Sequence, residues 1–370
     1  MIRDYLFITS IRNKKVIMNP IHYCFVYLIP LLALAGLLAG GPWVWLAPLV
    51  IFGLVPIAEL ILPAPDDNID QDDAKDRLED WRYDAVVYLA IPAQVGLVLF
   101  FLVTVESGSL SMVETIGATL SVGLSCGGLG INIGHELGHR PTKREQFLAK
   151  LLLATSLYAH FFIEHNRGHH ARVATPDDPA TSRRGEWVYS FWFRSVIGGW
   201  LNPWKMEADR LSRRGRPIVS LQNEMLRLQV GQAVMLAIIF GVFGGLATLA
   251  FIMSAVVGIL LLETVNYLEH YGLQRERNEN GRWERVRPAH SWNSNCILGR
   301  VLLFELTRHS DHHAHPKRPY SVLRHFDEAP QLPTGYPGMI VVALMPPLFF
   351  ALMDPRIPTK AAPQYLAQAA

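Results

Sequence analysis

The sequence predicts an all-α polytopic membrane protein with six transmembrane helices and a histidine-rich cap on one side of the membrane. Of the 370 residues, 50% are hydrophobic and only 18% are charged, which is typical of a chain with several membrane spans. Several apolar runs reach the roughly 20 residues that are needed to cross a bilayer. Between these runs the histidines are clustered, as in the segment EHNRGHH at 164–170.

Four apolar runs in the first part of the chain each match the length of one span. A fifth run, 226–268, is too long for one span and contains Gly244 and Gly245, so we divide it into two helices joined by a tight turn. The six predicted spans are 22–40, 43–62, 84–105, 113–134, 226–243 and 246–268.

Basic residues before the first span predict that the N-terminus is cytoplasmic. They are Arg3, Arg12, Lys14 and Lys15. The first span lacks a small-residue cleavage site, so it is predicted to be an anchor rather than a signal peptide. If the six spans cross the membrane in alternating directions from a cytoplasmic N-terminus, they form three hairpins. The polar segments 135–225 and 269–354, which we call the cap, then lie in the cytoplasm. The whole chain, 1–370, is then one integral-membrane domain.

Four further segments are assigned outside the spans. The acidic run 65–80 lacks the glycine of a calcium-binding loop and is predicted to be a solvated connector. The apolar run 145–163 is predicted to lie at the membrane interface, because a crossing there would separate EHNRGHH from the histidines before it. The run 338–353 is short and broken by two prolines, so it is also assigned to the interface, and the tail 355–370 resembles a linker.

Composition and charge argue against several functions. The net charge of +2 and the absence of a basic stripe with interleaved aromatics give no indication of nucleic-acid binding. The three cysteines are far apart and form no CxxC, which excludes an iron–sulfur or rubredoxin-type site within the chain. The central parts of the spans contain essentially no ionisable residues, which disfavours a metal or proton transporter.

The clustered histidines predict a metal site, because neutral imidazole is the commonest side-chain ligand of transition metals. Nine of the fourteen histidines fall in the cap or at the ends of spans that lead into it. They are His135, His139, His165, His169, His170, His270, His309, His312 and His313. The spacings HxxxH, HxxxHH and HxxHH place imidazoles on one helical face at i, i+3 or i+4. Nine ligands are too many for one ion, so two metals with four or five nitrogens each are predicted, with iron, copper, zinc and nickel left open.

The remaining five histidines are predicted not to bind metal. They are His22, His160, His290, His315 and His325. His315 is the open case, because it lies only two residues beyond His313. Six carboxylates near the motifs are candidates for orienting the imidazoles by hydrogen bonds, the alternative for each being an ordinary surface or packing role. These carboxylates are Glu136, Glu164, Asp177, Asp178, Glu269 and Asp311.

The motifs HELGH, EHNRGHH, NYLEHYG and RHSDHH resemble the signature elements of the bacterial membrane alkane 1-monooxygenases, of the membrane di-iron desaturase and hydroxylase class. The three histidine boxes alone fit the wider class, whereas NYLEHYG together with EHNRGHHARVATPDDPATS is more selective. The resemblance covers nearly the whole chain. It implies that the nine histidines bind two non-haem iron ions, and they are the same set that the predicted topology selects.

The resemblance further implies hydroxylation of the terminal methyl of medium-chain n-alkanes to primary alcohols in a bacterial inner membrane. The reaction would use dioxygen and two electrons from rubredoxin, which is reduced by an NADH-dependent rubredoxin reductase. The donor is either a separate protein or a C-terminal fusion that has been removed from this chain. The alternative is a membrane fatty-acyl desaturase or hydroxylase, which should need a charged site for the head group of its substrate.

Two predictions concern the alkane and the electron donor. Gly128 lies two helical turns before His135, about 10 Å deeper in the membrane, and is predicted to line a substrate channel along spans 2, 4 and 6, with close helix packing as the alternative. Basic residues of the cap are predicted to attract an acidic rubredoxin, with positive-inside topology as the alternative. These residues are Arg140, Lys143, Arg144, Arg167, Arg172, Arg183, Arg184, Lys317 and Arg318.

Overall fold

The computed structural model describes residues 18–358. Within this range the chain is helical and contains two isolated β-bridges but no strand. The basic residues before the first span, and the tail beyond residue 358, lie outside the described residues.

Thirteen helices, numbered here in chain order, carry the structure. Helix α7 covers residues 161–172 and joins an α-helical turn, a π-helical turn and a second α-helical turn. The others are α1 Pro20–Ala39, α2 Gly41–Ile61, α3 Gln71–Glu79, α4 Trp81–Glu106, α5 Met112–Gly138, α6 Lys143–Ala154, α8 Val188–Ser212, α9 Glu224–His270, α10 Ile297–Leu302, α11 His309–Ala314, α12 Tyr336–Ala343 and α13 Pro346–Met353.

Five of the described helices are long and apolar enough to cross a membrane, namely α1, α2, α4, α5 and α9. The first four agree with the first four predicted spans to within a few residues. Helix α5 is the centre of the bundle, since 89% of its most apolar stretch is buried, compared with 28% for α2. The histidine-bearing end of α5 is therefore surrounded by other helices, whereas leucines such as Leu60 and Leu31 on the outer helices are exposed.

Helix α9 folds back on itself at Gly244, as the sequence predicts. Gly244 has a φ of 72°, in the left-handed region that glycine adopts without steric cost. Gln232 accepts a hydrogen bond from the amide of Ala159 at 2.8 Å, and Glu263 accepts one from the hydroxyl of Tyr158 at 2.8 Å. On a straight helix Gln232 and Glu263 would lie about 46 Å apart at 1.5 Å per residue. The two arms of α9 are therefore antiparallel, and membrane crossing by each arm remains a prediction.

Close packing between α5 and the second arm of α9 depends on glycine. A Cβ atom at Gly123 would lie 2.9 Å from the carbonyl oxygen of Ser254, and one at Gly127 would lie 2.9 Å from the carbonyl oxygen of Gly258. These separations are shorter than real Cβ contacts, so the two helices approach along their backbones. This packing places the end of α5 and the end of α9, which carry histidines, side by side.

Three segments differ from their predictions. The connector 65–80 contains helix α3, whose N-cap Asp70 accepts a hydrogen bond from the amide of Asp73. The predicted single helix over 145–163 ends at Ala154, because Leu157 adopts a φ of 53° and redirects the chain toward α7. The long helix α8 was not predicted at all. The break between α12 and α13 falls at Pro346, as predicted.

Candidate metal centre

The structure brings the nine predicted histidines together as two compact groups. In each group, one ligand nitrogen from every member lies within 4.8 Å of those from all the other members. The first group, which we call the five-histidine group, comprises His135, His139, His165, His170 and His312. The second, the four-histidine group, comprises His169, His270, His309 and His313.

The π-helical turn Glu164–His169 determines how the EHNRGHH motif is divided between the groups. His165 and His170 are five residues apart and share a group, which is the i, i+5 spacing of a π-helix rather than the predicted i, i+4 spacing. His169 then belongs to the other group. In helix α11 the pair His309 and His313 has ordinary α-helical spacing. EHNRGHH and RHSDHH thus each give two imidazoles to one group and one to the other.

The nitrogen atoms within the groups have the spacing of metal ligands. Nε2 of His135 lies 2.9 Å from Nε2 of His312, and Nε2 of His170 lies 2.9 Å from that of His165. In the four-histidine group, Nε2 of His169 and Nε2 of His313 are 3.2 Å apart. Two ligands at right angles around an ion, each about 2.1 Å from it, would be about 3.0 Å apart. These separations are compatible with imidazoles arranged around a divalent ion.

Burial lowers the pKa of most of these imidazoles and so favours the neutral form that binds metals. Burial, with repulsion from His169, lowers the pKa of His139 to about 3. Burial and neighbouring histidines also hold the pKa of His165 and His312 well below the usual range. Both ring nitrogens of His270 are buried without a protein partner. An unpaired buried nitrogen is costly unless something binds it, so this observation also fits a metal.

Two of the six candidate carboxylates contact the histidines. Asp178 accepts a hydrogen bond from Nδ1 of His169 at 2.9 Å, and its other contacts include the hydroxyl of Thr181. An oxygen of Glu269 lies 3.2 Å from Nε2 of His309. Both carboxylates are buried. A carboxylate beside a liganding imidazole fixes the orientation of its ring and raises its basicity.

The other four candidate carboxylates bind elsewhere. Glu136 pairs with Arg140, Glu164 pairs with Arg172, and Asp177 is exposed without a hydrogen bond. Burial raises the pKa of Glu164 to about 7. Asp311 pairs with three cationic or histidine side chains, namely His315, Arg318 and Arg324. None of the four contacts a histidine of the two groups.

The five histidines predicted not to bind metal lie outside both groups. His22 contacts Asn19, His290 contacts Glu284, and His325 contacts Asn295. His315 bonds to Asp311, and its side chain is 48% exposed. His160 is buried and packs on the ring of Tyr158, and neither of its ring nitrogens has a protein partner.

The sequence reasoning missed two buried tyrosine–glutamate pairs beside the groups. The hydroxyl of Tyr336 donates to Glu269 at 3.0 Å, and the hydroxyl of Tyr158 donates to Glu263 at 2.8 Å. Glu263 could have been noticed, because a carboxylate within an apolar run needs a buried partner. The tyrosines carry no comparable signal, since both lie in segments that read as ordinary apolar sequence.

A long apolar cavity of about 800 Å³ reaches both histidine groups. His135 and His165 of the five-histidine group and His309 of the four-histidine group form part of its wall. Gly128 lies on the same wall, and a Cβ atom there would lie 2.7 Å from Cδ1 of Ile29. The cavity is thus bounded by α1, as well as by the predicted spans 2, 4 and 6.

Comparison with known proteins shows the family of the chain. The fatty acid desaturase family matches residues 110–343. Alkane 1-monooxygenase 2 of Pseudomonas aeruginosa is 44% identical, covering 85% of this chain and 84% of its own. Alkane 1-monooxygenase of Ectopseudomonas oleovorans is 41% identical, covering 88% and 80%. The xylene/toluene monooxygenase hydroxylase component of Pseudomonas putida is 30% identical, covering 88% and 86%. The chain therefore belongs to the alkane 1-monooxygenases.

Proposed function

We propose that this protein hydroxylates the terminal methyl group of medium-chain n-alkanes to give primary alcohols. The observation that carries the proposal is the apolar cavity, which ends against imidazoles of both histidine groups. The relatives named for alkane oxidation support the same substrate class. In balanced form, the alkane, O₂, two electrons and two protons give the alcohol and one water.

Two iron ions are the proposed cofactors, one for each histidine group. When bound, the iron would supply the redox chemistry that activates dioxygen. The five-histidine group and the four-histidine group would hold the ions, Asp178 would orient His169, and Glu269 lies beside His309. The apolar cavity excludes water from the substrate side, which protects the reaction from unproductive reduction of oxygen.

We propose that the electrons come from a donor outside the described residues. Cys24 is exposed, Cys126 is buried and Cys296 is partly buried, so the three cysteines form no metal-binding cluster. We propose rubredoxin and its NADH-dependent reductase as donors, acting on the cap at the cytoplasmic face of a bacterial inner membrane. Of the basic residues predicted to attract rubredoxin, Lys143, Arg144, Arg183 and Lys317 are exposed and form no ion pair with the described residues.

A fatty-acyl substrate is the second possibility, since the matching family is named for fatty acid desaturases. Among the described residues, the wall of the apolar cavity contains no lysine or arginine that could bind a carboxylate or phosphate head group. The cavity therefore favours an alkane over an acyl chain with a charged head.

Turnover under oxygen-18 gas tests the proposal. Purified iron-loaded protein in lipid nanodiscs is supplied with rubredoxin, its reductase, NADH and a homologous series of n-alkanes, with the matching fatty acids as parallel substrates. We expect labelled primary alcohols from the alkanes. Unlabelled alcohol, or oxidation of the fatty acids alone, would overturn the proposal.

A further inference from the structure

A second cavity, which we call the polar cavity, adjoins the apolar one and measures about 330 Å³. The two cavities share the wall residues Phe161, His165 and Asn266. The polar cavity also touches His169, so it meets one histidine of each group. It lies between α7, helix α8 and the second arm of α9.

The wall of the polar cavity is rich in buried hydrogen-bonding groups. Glu263 accepts hydrogen bonds from the hydroxyl groups of Tyr158 and Ser195 and from the amide of Asn266. His160 is only 4% exposed, and neither of its ring nitrogens has a protein partner. The second carboxylate oxygen of Glu164 is likewise buried without a protein partner.

These groups fit bound water better than an apolar ligand. A buried polar group without a hydrogen-bond partner is destabilising, so several such groups around one cavity favour a bound polar partner. A buried water typically makes about three hydrogen bonds and occupies about 30 Å³ in the liquid. The polar cavity offers such partners and room for about one water, whereas the apolar cavity offers few polar partners.

The proposed hydroxylation needs such a compartment. Each turnover consumes two protons and releases one water, yet the apolar cavity is occupied by the alkane while the reaction proceeds. Glu164 borders the polar cavity and pairs at 2.9 Å with Arg172, whose side chain is 30% exposed. Bulk solvent is therefore one ion pair away from the polar cavity.

We propose that the polar cavity holds bound water through which protons reach the histidine groups and product water leaves. The inference rests on the proposed hydroxylation and adds a route separate from that of the substrate. Tyr158, His160 and Glu263 act by holding this water in place. They are positioning residues and do not contact the alkane.

X-ray radiolytic labelling tests for the water directly, because radicals formed from bound water oxidise the side chains beside it. Tyr158 and Tyr336 are matched probes, since each is a buried tyrosine that donates to a glutamate, one at each cavity. In iron-loaded protein with dodecane bound, we expect oxidation of Tyr158 but not of Tyr336. Equal protection of both tyrosines would overturn the proposal.

Filling the polar cavity provides the second test. A Cβ atom at Gly199 would lie 3.7 Å from the hydroxyl of Tyr158, an ordinary contact, so a larger side chain there points into the cavity. We expect Gly199→Leu to abolish labelling of Tyr158 and to lower kcat while leaving the KM for alkane unchanged. Gly231→Leu is the matched control, because its site is open.

Two variants of His160 provide a test that remains valid if Gly199→Leu fails to fold. His160→Gln keeps a polar group in the cavity and should retain the labelling of Tyr158, whereas His160→Leu should reduce it. Unchanged labelling in both His160→Leu and Gly199→Leu would overturn the proposal. Labelling does not depend on turnover, so a protein that hydroxylates alkanes but shows no labelling disproves the water route alone.

Discussion

Two neighbouring aspartates distinguish a carboxylate that orients a histidine from one that is only close to it in the sequence. Asp178 and Asp177 are adjacent in sequence, yet Asp178 is buried against His169 and Asp177 is exposed. We expect Asp178→Asn to weaken iron binding by about 10–100-fold, because an orienting carboxylate contributes roughly that much to metal affinity. Iron retained per chain during titration with a chelator measures the effect. Asp177→Asn is the control, and equal iron retention in both variants would contradict the role of Asp178.

Gly128 and Ile29 contact each other in the wall of the apolar cavity and should control substrate length in opposite directions. Gly128→Phe adds a large side chain beside Ile29, so we expect a preference for shorter alkanes with unchanged iron content. Ile29→Ala opens the same place and should favour longer alkanes. Competition between alkanes in one reaction, analysed by gas chromatography, gives the two profiles. Parallel shifts in both variants would show that the alkane lies along another wall.

The residue scale is where the sequence was most informative about the site. Histidine is rare in apolar sequence, so the clustering of nine histidines predicted that they come together in one site. The contacts of the carboxylates were less predictable. An acid next to a histidine in the sequence leaves the helix in a different direction, so it need not contact that histidine. Glu136 and Asp311, for example, turn to arginines instead. Asp178 reaches His169 only because the chain folds back after α7.

At the scale of secondary-structure elements, Glu207 joins three parts of the cap. Its carboxylate pairs with Arg210 in α8, with Arg167 in α7, and with the amide of Glu224 at the start of α9. Burial opposes ionisation, but these hydrogen bonds outweigh it and lower the pKa of Glu207 to about 2.

Glu207→Gln should lower the thermal stability of the protein at neutral pH, because it removes charge-assisted bonds worth about 1.5–3 kcal/mol each. Since the folded pKa is lowered, this stabilisation is present above the unfolded pKa and is lost as the pH falls from about 4.5 toward 2. The difference in Tm between wild type and variant should therefore shrink in that range. A difference that is constant with pH would show that the carboxylate charge plays no part.

Some of the helices and turns could be predicted from the sequence and others could not, and the difference has physical causes. Long apolar runs identify spans because lipid allows few other sequences, and the glycine pair at 244 identifies a turn because no other residue adopts its φ so readily. Helix α8 was missed because arginine, proline and tryptophan interrupt its apolar pattern. Helix α6 ends early because Leu157 adopts a left-handed conformation. The local sequence does not predict this conformation.

At the scale of the whole molecule, the two histidine groups couple iron binding to folding. Seven of the nine imidazoles are buried and two are half-buried, and several of their ring nitrogens have no partner among the described residues, so removing iron should lower the Tm of the protein. In the iron-free protein the pKa of His139 is about 3, compared with the usual 6.5. The unfolded chain then binds more protons, so stability should fall as the pH drops from 6.5 toward 3. An iron-free Tm that is independent of pH in this range would contradict the burial of these imidazoles.

Electron delivery is also a property of the whole surface. If an acidic rubredoxin docks on the cap, turnover at limiting rubredoxin should fall as the salt concentration rises, and Lys317→Glu should raise the KM for rubredoxin. Arg318 is a poor choice for this test because it pairs with Asp311. Arg213→Glu is a better control, since Arg213 is exposed at the far end of α8. The same KM in the Lys317 and Arg213 variants would place docking elsewhere.

The π-helical turn of α7 gives the centre an approximate symmetry. HxxxHH and HxxHH differ by one residue, and the wider π turn absorbs that residue, so each motif presents two imidazoles to one group and the third to the other. In genetic terms the difference is a single codon. Deleting Asn166 would turn the first motif into a copy of the second, with His165 and His170 at α-helical spacing. The π turn thus accommodates one additional residue without removing an imidazole from either group.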